Sequence, residues 1–146
     1  MAVLALMLVI FLFSAQPASI SNSNSKSIVS RVVETTVKLT KAEIPEPEKR
    51  QLIDRVNNVA REYMHGVVFF VLGLLVQNAV TQSGAKGKKA IAAALAICVI
   101  YGISDEIHQV FVPGRAFQVS DLAMDSTGSI IGIAAMWILY KAVRKN

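Results

Sequence analysis

The chain is poor in two kinds of residue that most soluble proteins use freely. Charged residues make up only 17% of its 146 residues, against about 25% in a typical soluble domain, and Cys98 is the single cysteine. One cysteine cannot form an internal disulfide, so a disulfide scaffold is excluded. Intrinsic disorder is also excluded, because disordered chains are highly charged and poor in apolar residues, whereas 53% of this chain is apolar.

The apolar residues are gathered into four runs rather than dispersed at core spacing. The runs cover residues 1–13, 64–80, 90–103 and 122–140. A membrane span needs about 20 apolar residues, within a range of about 17–25. The second and fourth runs meet that length, and the third reaches it if its helix continues through 104–112. We therefore predict an all-α fold, a polytopic membrane helix bundle.

The predicted domain covers the whole chain, with about four transmembrane helices and one or two amphipathic helices on the outer surface. The first run is short for a span, so it is either a signal peptide or an uncleaved span that needs neighbouring helices. The absence of a basic residue before it favours the uncleaved span. The predicted spans are about 1–15, 64–80, 90–110 and 121–140, and the predicted outer segment is 16–62.

Basic residues predict the orientation of the bundle. Lys and Arg in short loops stay on the cytoplasmic side, and they cluster in two short segments, 86–89 and 141–145. Both termini are therefore expected in the cytoplasm, with residues 104–121 outside. Because six of the fifteen basic residues lie in these two segments, the net charge of +5 does not indicate a nucleic-acid partner.

The long outer segment has a pattern of its own. Its first part, SAQPASISNSNSKS, is rich in Ser and Asn and is predicted to be a loop. Residues 27–39 carry apolar side chains at helical spacing, EIPEP then breaks the chain, and helical spacing returns from Pro47. These patterns predict two helices on the outer leaflet or capping the bundle, the second continuing into the second span. A simple tether is the alternative for the first.

The polar residues near the spans lie at one end of the predicted bundle. Ionisable residues at membrane depth usually face the bundle interior or a water-filled cavity, so this set is the predicted binding site. Its carboxylates would repel one another, and we therefore expect salt bridges to its arginines and histidines. The set consists of Arg61, His65, Asp105, Glu106, His108, Gln109, Arg115, Asp121 and Asp125.

Two short motifs would bring these residues together. Pro113-Gly114 is a turn dipeptide, which reverses the chain so that the start of the fourth span returns beside the end of the third. Gly128 and Gly132 form a G-x-x-x-G pair, which allows another helix to approach closely. That contact would press the acidic end of the fourth span against a neighbour.

The stretch SDEIHQVFVPGRAFQVSDLAMDSTGSIIG resembles the signature of the VanZ-like family of bacterial membrane proteins. The family pattern has D-E-x-H-Q, then P-G-R, then an Asp, then Asn or Asp four residues later, then two glycines, and every position is filled here. The Arg61…His65 pair and the stretch FSAQPASIS also look like the family. The resemblance implies an integral protein of the bacterial plasma membrane, and the family's namesake is linked to low-level teicoplanin resistance.

Two classes of function fit the polar set. The first is a non-enzymatic envelope protein, in which the set is a structural network or recognises a lipid headgroup, a cell-wall precursor or a glycopeptide. Arg61 and Arg115 would then bind phosphate or carboxylate. The second is a membrane-embedded enzyme acting on a lipid-linked or extracellular substrate, with His65, Glu106 and His108 as candidate acid and base groups.

Cofactors and partners are less constrained by the residues. No cofactor is expected, but a divalent metal is an alternative because mixed histidine and carboxylate sites suit such ions. The compact H-E-x-x-H motif is absent. Membrane lipids are the expected partners, the oligomeric state stays open, and a proton relay is disfavoured because the inner halves of the spans lack ionisable residues.

The predicted orientation can be tested with alkaline phosphatase, which folds to its active form only outside the cytoplasm. A fusion near residue 115 is expected to be active, and a fusion near residue 86 inactive, because the lysines of segment 86–89 hold that loop inside. Colony phosphatase activity, normalised to fusion protein level, is the measurement. The reverse pattern would invert the topology and place the polar set in the cytoplasm.

Overall fold

The computed structural model describes residues 1–143, apart from the side chain of Glu62, and this part of the chain is all helical. It contains no strand, which confirms the predicted all-α fold. The five helices are α1 (Ala2–Ser14), α2 (Ala18–Thr40), α3 (Glu46–Gln82), α4 (Gly87–Val110) and α5 (Val119–Val143).

Three helices, α3, α4 and α5, are long and apolar enough to cross a membrane. Helix α1 has 13 residues, so it is about 20 Å long and falls short of the ~30 Å hydrocarbon core. It meets α2 at a bend of 102°, and the bent pair counts as a fourth span only if taken together. The predicted straight span 1–15 is therefore a short helix followed by a sharp turn.

Helix α1 nevertheless packs on the bundle through one face. Ile10 is buried in the apolar core, and the Tyr101 hydroxyl donates a hydrogen bond of 2.7 Å to the Met7 carbonyl. Because Ser14 contacts Asp105 and Met7 contacts Tyr101, one turn earlier on α4, α1 runs alongside α4 towards the end of that helix. A short apolar helix that packs on its neighbours matches the expectation that the first run needs neighbouring helices.

The loop predicted for SAQPASISNSNSKS is wrong, since α2 begins at Ala18 and is continuous to Thr40. Weak helix formers are helical here because tertiary contacts outweigh propensity. Asn57 of α3 donates a 2.7 Å hydrogen bond to the Asn22 side chain, and Lys26 pairs with Asp54. The predicted helix 27–39 is therefore the second part of a longer helix that is docked on α3.

Helix α3 confirms that the second surface helix continues into the second span. It has 37 residues and begins after Pro45, with Pro47 in its first turn, where a missing backbone N–H costs nothing. Its polar first half packs against α2, and its apolar second half contributes Phe69, Leu72 and Val76 to the core. The predicted start of the second span at residue 64 is thus not the start of a helix. It lies within α3, where the helix changes from its polar to its apolar half.

Glycines set the distance between α3 and α5. A methyl group on Gly128 would collide with the backbone carbonyl of Gly66, and one on Gly132 would collide with that of Phe70. The G-x-x-x-G pair therefore lies directly against the backbone of α3, as the motif predicted. The acidic start of α5 is pressed against α3 as a consequence.

Replacing Gly128 with Ala is expected to destabilise the bundle by about 1–3 kcal/mol, because the new methyl group overlaps a backbone atom that cannot rotate away. The thermal unfolding midpoint of the detergent-solubilised protein is the measurement. Ala134→Val on the exposed face of the same helix is the matched control and should leave the midpoint unchanged. Equal midpoints for both variants would contradict a backbone-to-backbone contact.

Candidate functional site

The site lies where α4 ends and α5 begins, and we call this part of the molecule the polar end. Helix α4 stops at Val110, and Gly114 adopts a positive φ of 77°, a conformation that glycine tolerates best. The amide of Arg115 closes a turn on the carbonyl of Val112 at 3.1 Å. This reversal is the one predicted from Pro113-Gly114, and it returns α5 alongside α4.

Asp105 anchors α1 to α4. Its buried carboxylate accepts 2.8 Å from the Ser14 hydroxyl and 3.0 Å from the Gln109 side-chain amide. The i,i+4 partner is Gln109, which helical spacing placed beside Asp105. Ser14 was not among the predicted site residues, and nothing local in the sequence signals a contact across 91 positions.

Arg115 joins the loop to the bend between α1 and α2. Its guanidinium donates 3.2 Å to the Gln109 side-chain oxygen and 3.1 Å to the Gln16 carbonyl. The amide of Ala18 donates to the Pro113 carbonyl at 3.2 Å. Two hydrogen bonds therefore hold the bend against the loop, Arg115 to Gln16 and Ala18 to Pro113.

Glu106 holds the start of α5. It is fully buried, and its Oε2 accepts 2.8 Å from the backbone N–H of Gln118, the residue before the first turn of the helix. A carboxylate at this position satisfies an amide that has no partner within the helix and interacts favourably with the helix dipole. The geometry gives Glu106 a capping role that its sequence position did not reveal.

Asp125 and His65 face each other where the glycines bring α5 onto α3. The Nδ1 atom of His65 lies 3.6 Å from Oδ1 of Asp125, which is 1% exposed. The imidazole keeps 26% of its surface exposed. A ligand could therefore reach the imidazole, whereas the carboxylate is shielded from the surroundings.

The predicted salt-bridge network is mostly wrong. Within the described residues, His65–Asp125 is the single contact at ion-pair distance among the polar residues predicted for the site, and it carries two charges only when the imidazole is protonated. Asp105 and Glu106 are held instead by a hydroxyl, an amide side chain and a backbone N–H, because the guanidinium of Arg115 is directed to a carbonyl and an amide oxygen. Neutral donors can satisfy a buried carboxylate as charged ones do.

Some buried oxygens keep bonding capacity. Among the described residues, Oδ1 of Asp105, Oε1 of Glu106 and both carboxylate oxygens of Asp125 have no hydrogen-bond donor. A buried acceptor without a donor costs about 1–3 kcal/mol. These oxygens are therefore places where a proton, a water or a ligand group would add a bond.

Two predicted site residues, His108 and Asp121, lie apart from the buried carboxylates. The ring of His108 stacks on Phe11 of α1, with ring centroids 4.3 Å apart. Asp121 lies at the rim, where it accepts a 3.3 Å hydrogen bond from the Gln118 side chain and is partly exposed. Four of the other predicted residues form a buried polar cluster: Asp105, Glu106, Gln109 and Asp125. The other three line a cavity beside this cluster: Arg61, His65 and Arg115.

A cavity of about 360 Å³ opens beside this cluster, between α1, α2 and α3. Arg61, His65 and Arg115 contribute to its wall, together with the hydroxyls of Ser21 and Ser25. Most of the remaining lining is apolar: Leu6, Val9, Ile10, Phe13, Ala60, Met64, Val68 and Phe69.

The two arginines give this cavity an excess of positive charge. Burial lowers the pKa of the Arg115 guanidinium below its ordinary value, and the nearby positive charge of Arg61 lowers it further. Arginine still stays protonated in proteins. Since neither guanidinium has a carboxylate within ion-pair distance among the described residues, an anion in the cavity would relieve their repulsion.

A family model described as VanZ/LLP1 matches residues 1–140. The chain belongs to the VanZ/LLP1 family. No curated protein matches the chain, and no solved structure matches it. With its membrane-length helices, this VanZ/LLP1 protein is a multi-pass membrane protein, and the VanZ name is associated with teicoplanin resistance.

The metal alternative has no geometric support in the described part of this VanZ/LLP1 chain. In residues 1–143, no group of three or more His, Cys, Asp or Glu side chains is arranged to hold a metal ion. Asp105 accepts from Ser14, Glu106 accepts from the amide of Gln118, and Asp125 lies against His65, so the three carboxylates have separate neighbours. A divalent ion therefore remains only a prediction from residue type.

Replacing Ser14 with Ala is expected to destabilise the protein by about 1–3 kcal/mol, because a buried carboxylate oxygen of Asp105 loses a donor. Thermal unfolding in detergent measures the loss. Ser19→Ala is the matched control, since Ser19 is exposed on the first turn of α2. If both variants unfold at the wild-type temperature, the Ser14–Asp105 bond does not anchor α1.

Proposed function

We propose that this VanZ/LLP1 protein binds an amphiphile with an anionic headgroup, a membrane lipid or a lipid-linked cell-wall precursor, at the polar end. One observation carries the proposal: the cavity combines apolar walls with two guanidiniums that have no carboxylate partner among the described residues. Ligand sites of this kind are mostly apolar and use a few placed polar groups for orientation.

The apolar wall suits a hydrocarbon chain. Val9 and Phe13 on α1 line the cavity and are 45% and 63% exposed, so this wall continues onto the outer surface of α1. Helix α1 lies beside the membrane-crossing helices, where its exposed face would meet lipid. A lipid chain can therefore extend out of the cavity along α1 without leaving an apolar environment.

The polar part of the wall suits the headgroup. Arginine guanidiniums bind phosphate and carboxylate with two parallel hydrogen bonds, which are roughly twice as strong as neutral ones. Arg115 is held in position by the Gln16 carbonyl and the Gln109 side chain. Ser21 and Ser25, one helical turn apart on α2, add hydroxyls for the polar part of a headgroup.

The size of the cavity favours a lipid over an intact glycopeptide. Sites for drug-sized ligands have about 300–1,000 Å³, and this cavity of 360 Å³ is near the lower end of that range. A headgroup with the start of its chain fits such a volume, whereas a whole glycopeptide antibiotic is larger than a drug-sized ligand. An effect on teicoplanin would then follow from binding a membrane component.

The placement in the membrane is part of the proposal. The lysines at 86–89 and Lys141 lie at the other ends of the spans from the polar end, and under the positive-inside rule this supports an outer-leaflet position for the cavity. Trp137 and Lys141 stack at 3.6 Å at the lysine end, where aromatic and basic side chains commonly meet the interface. A bacterial plasma membrane with both termini inside is the setting that we infer.

Arg61→Gln is expected to weaken binding of short-chain phosphatidylglycerol to the detergent-solubilised protein by roughly 10- to 100-fold, because a charge-assisted hydrogen bond contributes about 1.5–3 kcal/mol. Titration followed by intrinsic fluorescence or calorimetry measures the dissociation constant. The loss should be smaller for phosphatidylcholine at matched chain length, because its choline cation offsets the phosphate charge.

The matched control for this titration is Arg55→Gln, an exposed arginine on the same helix that does not line the cavity. It should bind as the wild type does. A purely structural role for the polar end predicts a different result: Arg61→Gln would lower the unfolding temperature while wild-type protein shows no preference for the anionic lipid. That outcome would overturn the proposal.

A further inference from the structure

We infer that His65 is the general base of an esterase site, which hydrolyses a carboxylic ester of the lipid held in the cavity. This inference rests on the proposed lipid binding and adds a reaction to it. It stands on three observations: the His65–Asp125 pair, the open face of the imidazole, and the position of His65 relative to Arg61.

The pair has the geometry of an oriented imidazole. Nδ1 of His65 faces the buried carboxylate of Asp125 at 3.6 Å, so Nε2 is the nitrogen left to act on a ligand. Within the described residues Nε2 accepts no hydrogen bond, and His65 lines the cavity. A histidine with a carboxylate beside one ring nitrogen and a ligand cavity beside the ring is the arrangement of a base in acyl-transfer sites, where the contact with the carboxylate tightens when substrate binds.

The backbone fixes this geometry. Gly66, the residue after His65, is the one whose carbonyl would collide with a methyl group on Gly128. Asp125 lies three residues before Gly128 on the same stripe of α5, so the glycine contact sets how far the carboxylate is from the imidazole. Neither helix can move sideways without breaking the contact.

The position of His65 along α3 determines which bond of the lipid its imidazole can reach. His65 lies four residues after Arg61 on a continuous helix, which is about 6 Å further along the axis towards the apolar half of α3. In a glycerolipid the ester groups lie between the phosphate and the chains. If Arg61 holds the phosphate, the imidazole is level with an ester carbonyl.

The reaction needs no cofactor. Nε2 of His65 takes a proton from a water molecule while the water oxygen bonds to the ester carbonyl carbon and the carbonyl π electrons move to oxygen. As this intermediate collapses, the bond from carbon to the glycerol oxygen breaks, and the imidazolium returns the proton to that oxygen. One water is consumed, and the products are a fatty acid and a lysolipid.

Asp125 is a positioning residue in this scheme, because it touches the imidazole and not the ester. Its carboxylate holds the tautomer with the proton on Nδ1 and stabilises the imidazolium that forms during the reaction. A change at Asp125 should therefore lower kcat with little effect on KM. A merely structural role would instead change binding and stability together.

The test uses the full-length protein in detergent micelles with phosphatidylglycerol and phosphatidic acid, and phosphatidylcholine for comparison. Mass spectrometry follows lysolipid and fatty acid, and water labelled with ¹⁸O should place one label in the fatty acid. His65→Gln is expected to lower turnover by about 100-fold or more, the usual contribution of a general base. Asp125→Asn should lower kcat roughly tenfold or more at unchanged KM.

Arg55→Gln is the matched control, since Arg55 is exposed on the same helix as His65 and does not line the cavity. Phosphatidylglycerol binding and thermal unfolding are measured on every variant, and if His65→Gln does not fold, the Asp125→Asn split between kcat and KM decides. Wild-type protein that binds the anionic lipids but releases no lysolipid would overturn this inference and leave the proposed binding intact. Wild-type protein that binds none of them would overturn both.

Discussion

Helices α3 and α5 touch backbone to backbone because Gly128 and Gly132 have no side chains, and much of the polar end depends on this contact. It places Asp125 in a buried position against His65. In lipid, apolar side chains gain nothing by leaving the solvent, so helices associate through close packing and polar contacts. A glycine stripe is therefore what allows a short acidic segment to be held at membrane depth beside a histidine.

The scarcity of water at membrane depth also explains which donors Asp105 and Glu106 use. Each buried polar group must find its partner within the protein, and Asp105 and Glu106 find hydroxyl, amide and backbone donors on α1, on α4 and at the start of α5. This leaves the arginines without carboxylate partners in the described chain. The carboxylates of the polar end thus hold helices together, whereas Arg61 and Arg115 give the cavity wall a positive charge. The positive charge is the basis for proposing an anionic ligand.

Much of the fold was predictable because membrane insertion leaves a strong local signal. Long apolar runs located α4, α5 and the second half of α3, and Pro113-Gly114 located the reversal. The prediction failed where the signal was weak: the Ser- and Asn-rich stretch is helical because Asn22 and Lys26 contact α3, and no window of sequence contains both partners. The salt-bridge network failed for a related reason, since formal charge does not show which way a guanidinium points.

The candidate site, like the fold, was predictable where the signal was local and not where it depended on contacts between distant residues. Residue types and helical spacing alone identified the polar set, the Asp105–Gln109 pair and the glycine stripe, because i,i+4 neighbours are fixed by the geometry of a helix. Only the tertiary structure brought Ser14 to Asp105, gave Glu106 its place at the start of α5, turned His108 towards Phe11 and enclosed a cavity between α1 and α3. Those contacts join residues far apart in the chain, and their partners are chosen by how whole helices pack.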